Sequence, residues 1–73
     1  MEDYQERMLN ELKELNEKIN KLNDFTGTET FRNLDEHRRM LLVLQSNAMQ
    51  QYAVILAFRC KAEGFDIETI LTF

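Results

Sequence analysis

The chain has 73 residues, thirteen acidic and nine basic, for a net charge of −4. One small domain spanning residues 1–73 is expected, and a single core of that size supplies only about 3–5 kcal/mol without a disulfide, a metal or a partner chain. The acidic balance disfavours nonspecific DNA or RNA binding, the lone Cys60 excludes an intrachain disulfide, and no Cys/His cluster has zinc spacing.

A first helix is expected over about residues 3–23. Met8, Leu12, Leu15, Ile19 and Leu22 follow a 4, 3, 4, 3 spacing, a heptad seam of nearly three repeats. Glu14/Lys18 and Glu17/Lys21 stand four apart with the glutamate first, the favourable order on a solvated face. Glu2, Asp3 and Glu6 complement the positive end of the helix dipole.

Asn23-Asp24-Phe25-Thr26-Gly27 is expected to break this helix, and Thr28 to cap a short turn over about residues 28–33. Phe31 and Leu34 would then fold over the hairpin end. Asp35 is a good N-cap for a second long helix over about residues 36–62, closed by Gly64 at the C′ position. A connection of this length makes the two long helices antiparallel neighbours.

The second helix is apolar round more of its circumference than a surface helix, whose apolar face spans roughly 100°. Met40 to Leu44, Ala48-Met49 and Tyr52 to Phe58 cover several faces, and one neighbouring helix cannot shield them all. The expected architecture is all-α: an antiparallel helical hairpin with a short connecting turn and a short C-terminal segment, assembled as a homo-oligomeric bundle, dimer or tetramer. The tail over residues 65–73 holds Phe65, Ile67, Ile70, Leu71 and Phe73, and is expected to dock on a neighbouring subunit or over a binding groove. No basic segment leads into an apolar run at Met-Glu-Asp, and the continuous apolar stretches of about five to seven residues fall short of a membrane span. No membrane partner is expected.

Gln45, Tyr52 and Arg59 recur every seven residues and are expected near the centre of the apolar arc. The plain reading is structural: glutamine fixing register, the tyrosine hydroxyl at a rim, arginine complementing the helix C-terminus. The other is a ligand groove, with an aromatic platform and a guanidinium for the base and phosphate of a nucleotide. An antiparallel hairpin is expected to carry Tyr4 and Arg7 toward Tyr52 and Arg59. Arg38 and Arg39 oppose the dipole at the start of the second helix, which favours an anionic partner or a salt bridge to Asp35. His37 and Cys60 lie about 35 Å apart along one helix and cannot form a catalytic dyad within one chain. No carboxylate pair in an apolar setting and no Gly-rich phosphate loop is found, so no catalytic residue, metal ligand or cofactor is expected.

Tyr4-Gln5-Glu6-Arg7, Leu22-Asn23-Asp24-Phe25, Phe31-Arg32-Asn33-Leu34, the stretch from Leu41-Leu42 through Gln45 and Met49 to Tyr52, and Ile55-Leu56-Ala57-Phe58-Arg59 together form a pattern. It resembles a family of very short phage and prophage proteins named after a gene product of a crAss-like phage. The resemblance spans residues 3–60 and leaves the tail outside it. It implies a phage origin and a small helical fold. By analogy with phage proteins of this size and shape, it further suggests a counter-defence protein of the host cytoplasm. Such a protein sequesters a nucleotide immune signal, a cyclic oligonucleotide or an ADP-ribose derivative, without turnover. A dinucleotide needs a pocket of roughly several hundred Å3, which an interface between hairpins can enclose. The expected ligand-binding residues are then Tyr4, Arg7, Gln45, Tyr52 and Arg59, with Arg38 and Arg39. Docking on a host protein and a purely structural bundle are the rival expectations.

Overall fold

Asp3 starts the first helix by accepting hydrogen bonds from the backbone N–H groups of Gln5 and Glu6, both at 3.1 Å, which satisfies two otherwise orphaned donors. In the computed structural model, which describes residues 3–68 and 70, helix α1 then runs Tyr4–Thr26. It passes the expected stop at Asn23 because nothing in Asp24-Phe25-Thr26 bars a helix, and Phe25 gains an edge-on contact with Phe31, ring centroids 6.0 Å apart. The one-turn helix α2, Glu29–Arg32, is capped by Thr28, whose Oγ1 accepts from the Phe31 N–H at 3.2 Å. Helix α3 covers Glu36–Ala62 and is capped by Asp35, which accepts from the Arg38 N–H at 3.3 Å.

The C-terminus of α3 closes as a Schellman motif. The Phe65 N–H donates to the Cys60 carbonyl at 3.1 Å and the Gly64 N–H to the Lys61 carbonyl at 3.0 Å. Gly64 carries φ +95°, a backbone state that side-chain-bearing residues adopt only at a cost.

The α1 seam and one face of α3 make the core. Met8, Leu12, Leu15 and Ile19 are buried against Ala53, Leu56, Ala57 and Cys60. Polar ties at both ends fix the antiparallel register. Gln5 Nε2 and Tyr4 OH donate to Glu63 Oε1, the latter at 3.2 Å, while Ser46 Oγ donates to Asn23 Oδ1 at 3.0 Å. Met8 therefore comes level with Cys60, Leu12 with Leu56 and Leu15 with Ala53. The core is apolar toward the chain ends and polar toward the turn, where Gln50 Nε2 donates to Ser46 Oγ at 3.0 Å. Leu22, the last member of the expected seam, is only half-buried there.

The tail packs on its own hairpin. Phe65, Ile67 and Ile70 lie partly buried against the core cluster, and the Asp66 carboxylate accepts from the Glu68 N–H at 3.1 Å in a turn. The Schellman reversal turns Phe65 back over Cys60. Leu71 and Phe73 lie outside the described residues.

One expectation needs revision. As a whole helix, α3 is long and apolar enough to cross a membrane by length and composition, since Met40 through Phe58 contain no charged residue. Short apolar runs alone hid this, because uncharged amides separate them. Yet Gln45, Asn47, Gln50 and Gln51 would each be costly in hydrocarbon, and α1 lies along α3 with Lys13, Glu14, Glu17 and Lys18 exposed. The chain leaves 5375 Å2 accessible, against about 4,700 Å2 for a compact monomer of this mass.

Two stability measurements follow from this packing. Leu12→Ala or Leu56→Ala, each at a fully buried position, is expected to cost about 2–5 kcal/mol in a denaturant melt followed by circular dichroism. Gly64→Ala is expected to cost roughly 1 kcal/mol through backbone strain alone, since a Cβ there meets nothing within 4 Å.

Candidate functional site

α1 covers the line of Ser46, Ala53 and Cys60 together with Leu56 and Ala57, and the opposite side of α3 faces outward. Met40, Leu41, Val43, Leu44, Tyr52, Val54, Ile55 and Phe58 are all exposed, Ile55 at 60% and Phe58 at 64%. Gln45, Tyr52 and Arg59 each precede a residue of the buried line by one position, and so stand about 100° round the helix from it. They form an exposed row at one edge of the outward apolar face, not its centre.

Steps of seven residues put about 10.5 Å between successive members of that row. Gln45 Nε2 reaches Met49 Sδ at 3.9 Å, which fixes the amide on the helix surface. The Tyr52 ring is 44% exposed and the Arg59 guanidinium is exposed. Among the described residues Arg59 has no carboxylate within ion-pair distance, for Glu63, one turn on, is engaged by Tyr4 and Gln5. An unpaired cation beside apolar side chains is well placed for an anion.

The other candidates are distributed differently from expectation. Tyr4 bonds to Glu63 and lies about 16 Å along the hairpin axis from the level of Tyr52. Its phenol is held above its ordinary pKa chiefly by that hydrogen bond to the carboxylate. Arg7 is exposed, and no side-chain hydrogen bond or ion pair of it occurs among the described residues. Within one hairpin, then, neither Tyr4 nor Arg7 reaches the level of Tyr52. The register that levels Met8 with Cys60 sets both more than two turns beyond it, with Tyr4 over a turn beyond Arg59 and Arg7 only about 3 Å beyond Arg59 along the axis. Arg38 and Arg39 stand at the far end of α3. Arg38 Nη1 pairs with Asp35 Oδ1 at 2.7 Å, a contact that lowers the Asp35 pKa. Arg39 Nη1 donates to the Arg32 carbonyl at 3.4 Å, tying α2 to α3.

Sequence reasoning overlooked one concave surface on α3. A shallow groove of about 540 Å3 is lined by Asn47, Gln50, Gln51, Val54 and Ile55, with more apolar than polar surface. It lies on the flank of α3 away from Tyr52 and Arg59. Asn47, Gln50, Gln51 and Val54 are spaced i, i+3, i+4, i+7, the diamond that receives a side chain from a neighbouring helix. Three amides at that spacing within an uncharged run were the available signal.

A family model described as Sequestin matches residues 2–62. The chain belongs to the Sequestin family. The Sequestin match takes in α1, α2 and α3 and leaves the tail outside, as the resemblance over residues 3–60 also does. Comparison with curated proteins and with solved structures finds no match. The family name points to sequestration, the holding of a molecule or partner rather than its conversion.

Cys60 belongs to the packing of the hairpin. It is fully buried, and desolvation pushes its thiol above the ordinary value. A thiol reagent near pH 8 is expected to modify the folded protein on the order of a hundredfold more slowly than the unfolded chain. Because the folded pKa is the raised one, the associated stability is intact below about pH 8.5 and lost as pH rises through the folded value. Chemical denaturation across that range is expected to show a falling stability that Cys60→Ala removes.

Proposed function

We propose that this protein is a phage counter-defence protein that binds and holds a nucleotide immune signal, a cyclic oligonucleotide or an ADP-ribose derivative, without turning it over. It acts in the host cytoplasm as a homo-oligomer of hairpins, with the signal held where hairpins meet. The observation that carries this reading is the row of Gln45, Tyr52 and Arg59 on the outward face of α3. An exposed aromatic ring and an unpaired guanidinium about 10.5 Å apart suit a base or ribose at one end and a phosphate at the other. Membership of a family named for sequestration supports the class of activity. Tyr4 and Arg39 enter such a site only from another hairpin, since their own hairpin holds them elsewhere, whereas Arg7 is exposed and lies near the level of Arg59.

The exposed apolar face supports assembly in the same terms. Eight large apolar side chains left half-exposed on one helix make a patch that a monomer in water rarely keeps, and a ligand pocket between copies removes it. Docking on a host protein draws on the same patch and is separated from this reading by the ligand.

Purified protein incubated with cyclic dinucleotides, cyclic trinucleotides and ADP-ribose derivatives is expected to gain several degrees in melting temperature with one class. A ligand at about 100 times its Kd adds roughly 2.7 kcal/mol. Ligand released by heat is expected to be chemically intact by chromatography. Arg59→Ala and Tyr52→Ala are each expected to weaken binding about tenfold to a hundredfold, from the loss of a charge-assisted hydrogen bond or of base stacking. Both should keep the helicity of the parent. Hydrolysed product, or no shift with any of the three classes, overturns the reading.

A further inference from the structure

The outward face of α3 carries a second heptad seam, separate from the one α1 covers. Leu41, Leu44, Ala48, Gln51, Ile55 and Phe58 follow a 3, 4, 3, 4, 3 spacing, and all six are exposed in the hairpin. Two seams on opposite sides of one helix require two partner helices, and the hairpin supplies one.

The residues of the outer seam are ordered so as to read well in reverse. Aligned antiparallel to itself, α3 sets Leu41 against the partner's Phe58, Leu44 against the partner's Ile55, and Ala48 against the partner's Gln51. Every layer then joins the two kinds of seam position, as antiparallel helix pairs require. Small Ala48 leaves room for the longer Gln51 near the two-fold axis, and a polar side chain there penalises slipped registers. The eight exposed apolar side chains of α3 retain on the order of 100 Å2 each, together roughly the 800 Å2 per partner of a stable interface. Antiparallel alignment also sets the helix dipoles head to tail.

The same alignment acts on the row beside the seam. Arg38, Gln45, Tyr52 and Arg59 recur at intervals of seven. Within one chain Arg38 and Arg59 lie about 31 Å apart, too far to hold one anion. We propose that two copies pair through the outer face of α3 as an antiparallel coiled coil, bringing Arg38 and Gln45 of one copy beside the partner's Arg59 and the partner's Tyr52. The dimer then has two equivalent anion sites, neither complete in one chain. The pairing stands on the seam alone; the anion it holds, a phosphate or pyrophosphate group, rests on the nucleotide reading above.

Two guanidiniums brought together repel unless an anion lies between them. Arg38 is free to turn to such an anion, because its pair with Asp35 is solvent-exposed and surface pairs of this kind hold weakly. Arg59 has no carboxylate partner among the described residues. The groove over Asn47, Gln50, Gln51 and Val54 would receive the partner's Asn47 and the partner's Leu44 at its edge.

Cross-linking tests the pairing with no ligand present. Leu41→Cys combined with Phe58→Cys is expected to give a disulfide-linked dimer on mild oxidation, since the two positions lie about 25 Å apart within one chain and native Cys60 is buried against α1. Leu41→Cys alone is expected to give none. A dimer from the single variant would show parallel pairing and overturn the proposal, as would a monomeric parent protein in sedimentation equilibrium. Ile55→Lys, at a position open to water in the hairpin, is expected to yield a folded monomer with unchanged helicity; a persistent dimer counts against the seam.

Inorganic pyrophosphate tests the shared site by calorimetry. Arg38→Ala and Arg59→Ala are each expected to lose binding as pure proteins, yet to recover about a quarter of the parent's sites when unfolded and refolded together, by random assortment of a two-fold dimer. No recovery overturns the shared site, and a parent protein that binds no pyrophosphate overturns it too while leaving the cross-linked dimer standing. Pyrophosphate binding without nucleotide binding sinks the nucleotide reading and retains the site.

Discussion

Burial of the Met8–Ile19 seam against Ala53, Leu56, Ala57 and Cys60 is the constraint from which the remaining geometry follows. Small side chains at Ala53, Ala57 and Cys60 let α1 lie close to α3. The ties from Gln5 and Tyr4 to Glu63, and from Ser46 to Asn23, hold the two helices in one register. With that face of α3 claimed and Leu42 and Met49 half-buried beside it, the other large apolar residues of the helix face water. The row of Gln45, Tyr52 and Arg59 is exposed for the same reason. The outward face is thus a consequence of the inward one, and α3 carries two separate apolar faces.

The inward half of this arrangement was legible in the sequence. The 4, 3, 4, 3 spacing from Met8 marked the α1 seam, and Asp35, Thr28 and Gly64 marked caps that the structure uses. The spacing of α3 was harder to decode, because a helix apolar on most sides has no single direction. Gln45, Tyr52 and Arg59 looked central for want of knowing which line α1 would take. Ala53, Ala57 and Cys60 allow α1 to approach closely around the buried Leu56, and side-chain volume, which a hydropathy pattern does not weigh, bears on that choice.

The site was less legible than the fold. Placing Tyr4 near Tyr52 needed the register to within a turn, and the polar ties that set it involve Glu63 and Asn23, residues that look like ordinary surface positions. The tail's apolar content indicated docking, and the reversal at Gly64, which the glycine marks, is what returns Phe65 to Cys60 in the same chain. The amide cluster at Asn47, Gln50 and Gln51 drew no reading of its own, although its i, i+3, i+4 spacing stands in the sequence.

The division of the core into an apolar half and a polar half grades the stiffness of the hairpin along its length. Between Met8 and Cys60 the helices are held by close packing, whereas toward the turn they are held by Asn23, Ser46 and Gln50, whose hydrogen bonds can exchange with water. The row on the outward face spans both halves. Close packing backs Tyr52 and Arg59, and hydrogen bonds that water can replace back Gln45 and Arg38. In the dimer proposed above, each shared site would then draw one flank from the firmer half of one copy and one from the softer half of the other, and binding would withdraw conformational freedom mainly from the second.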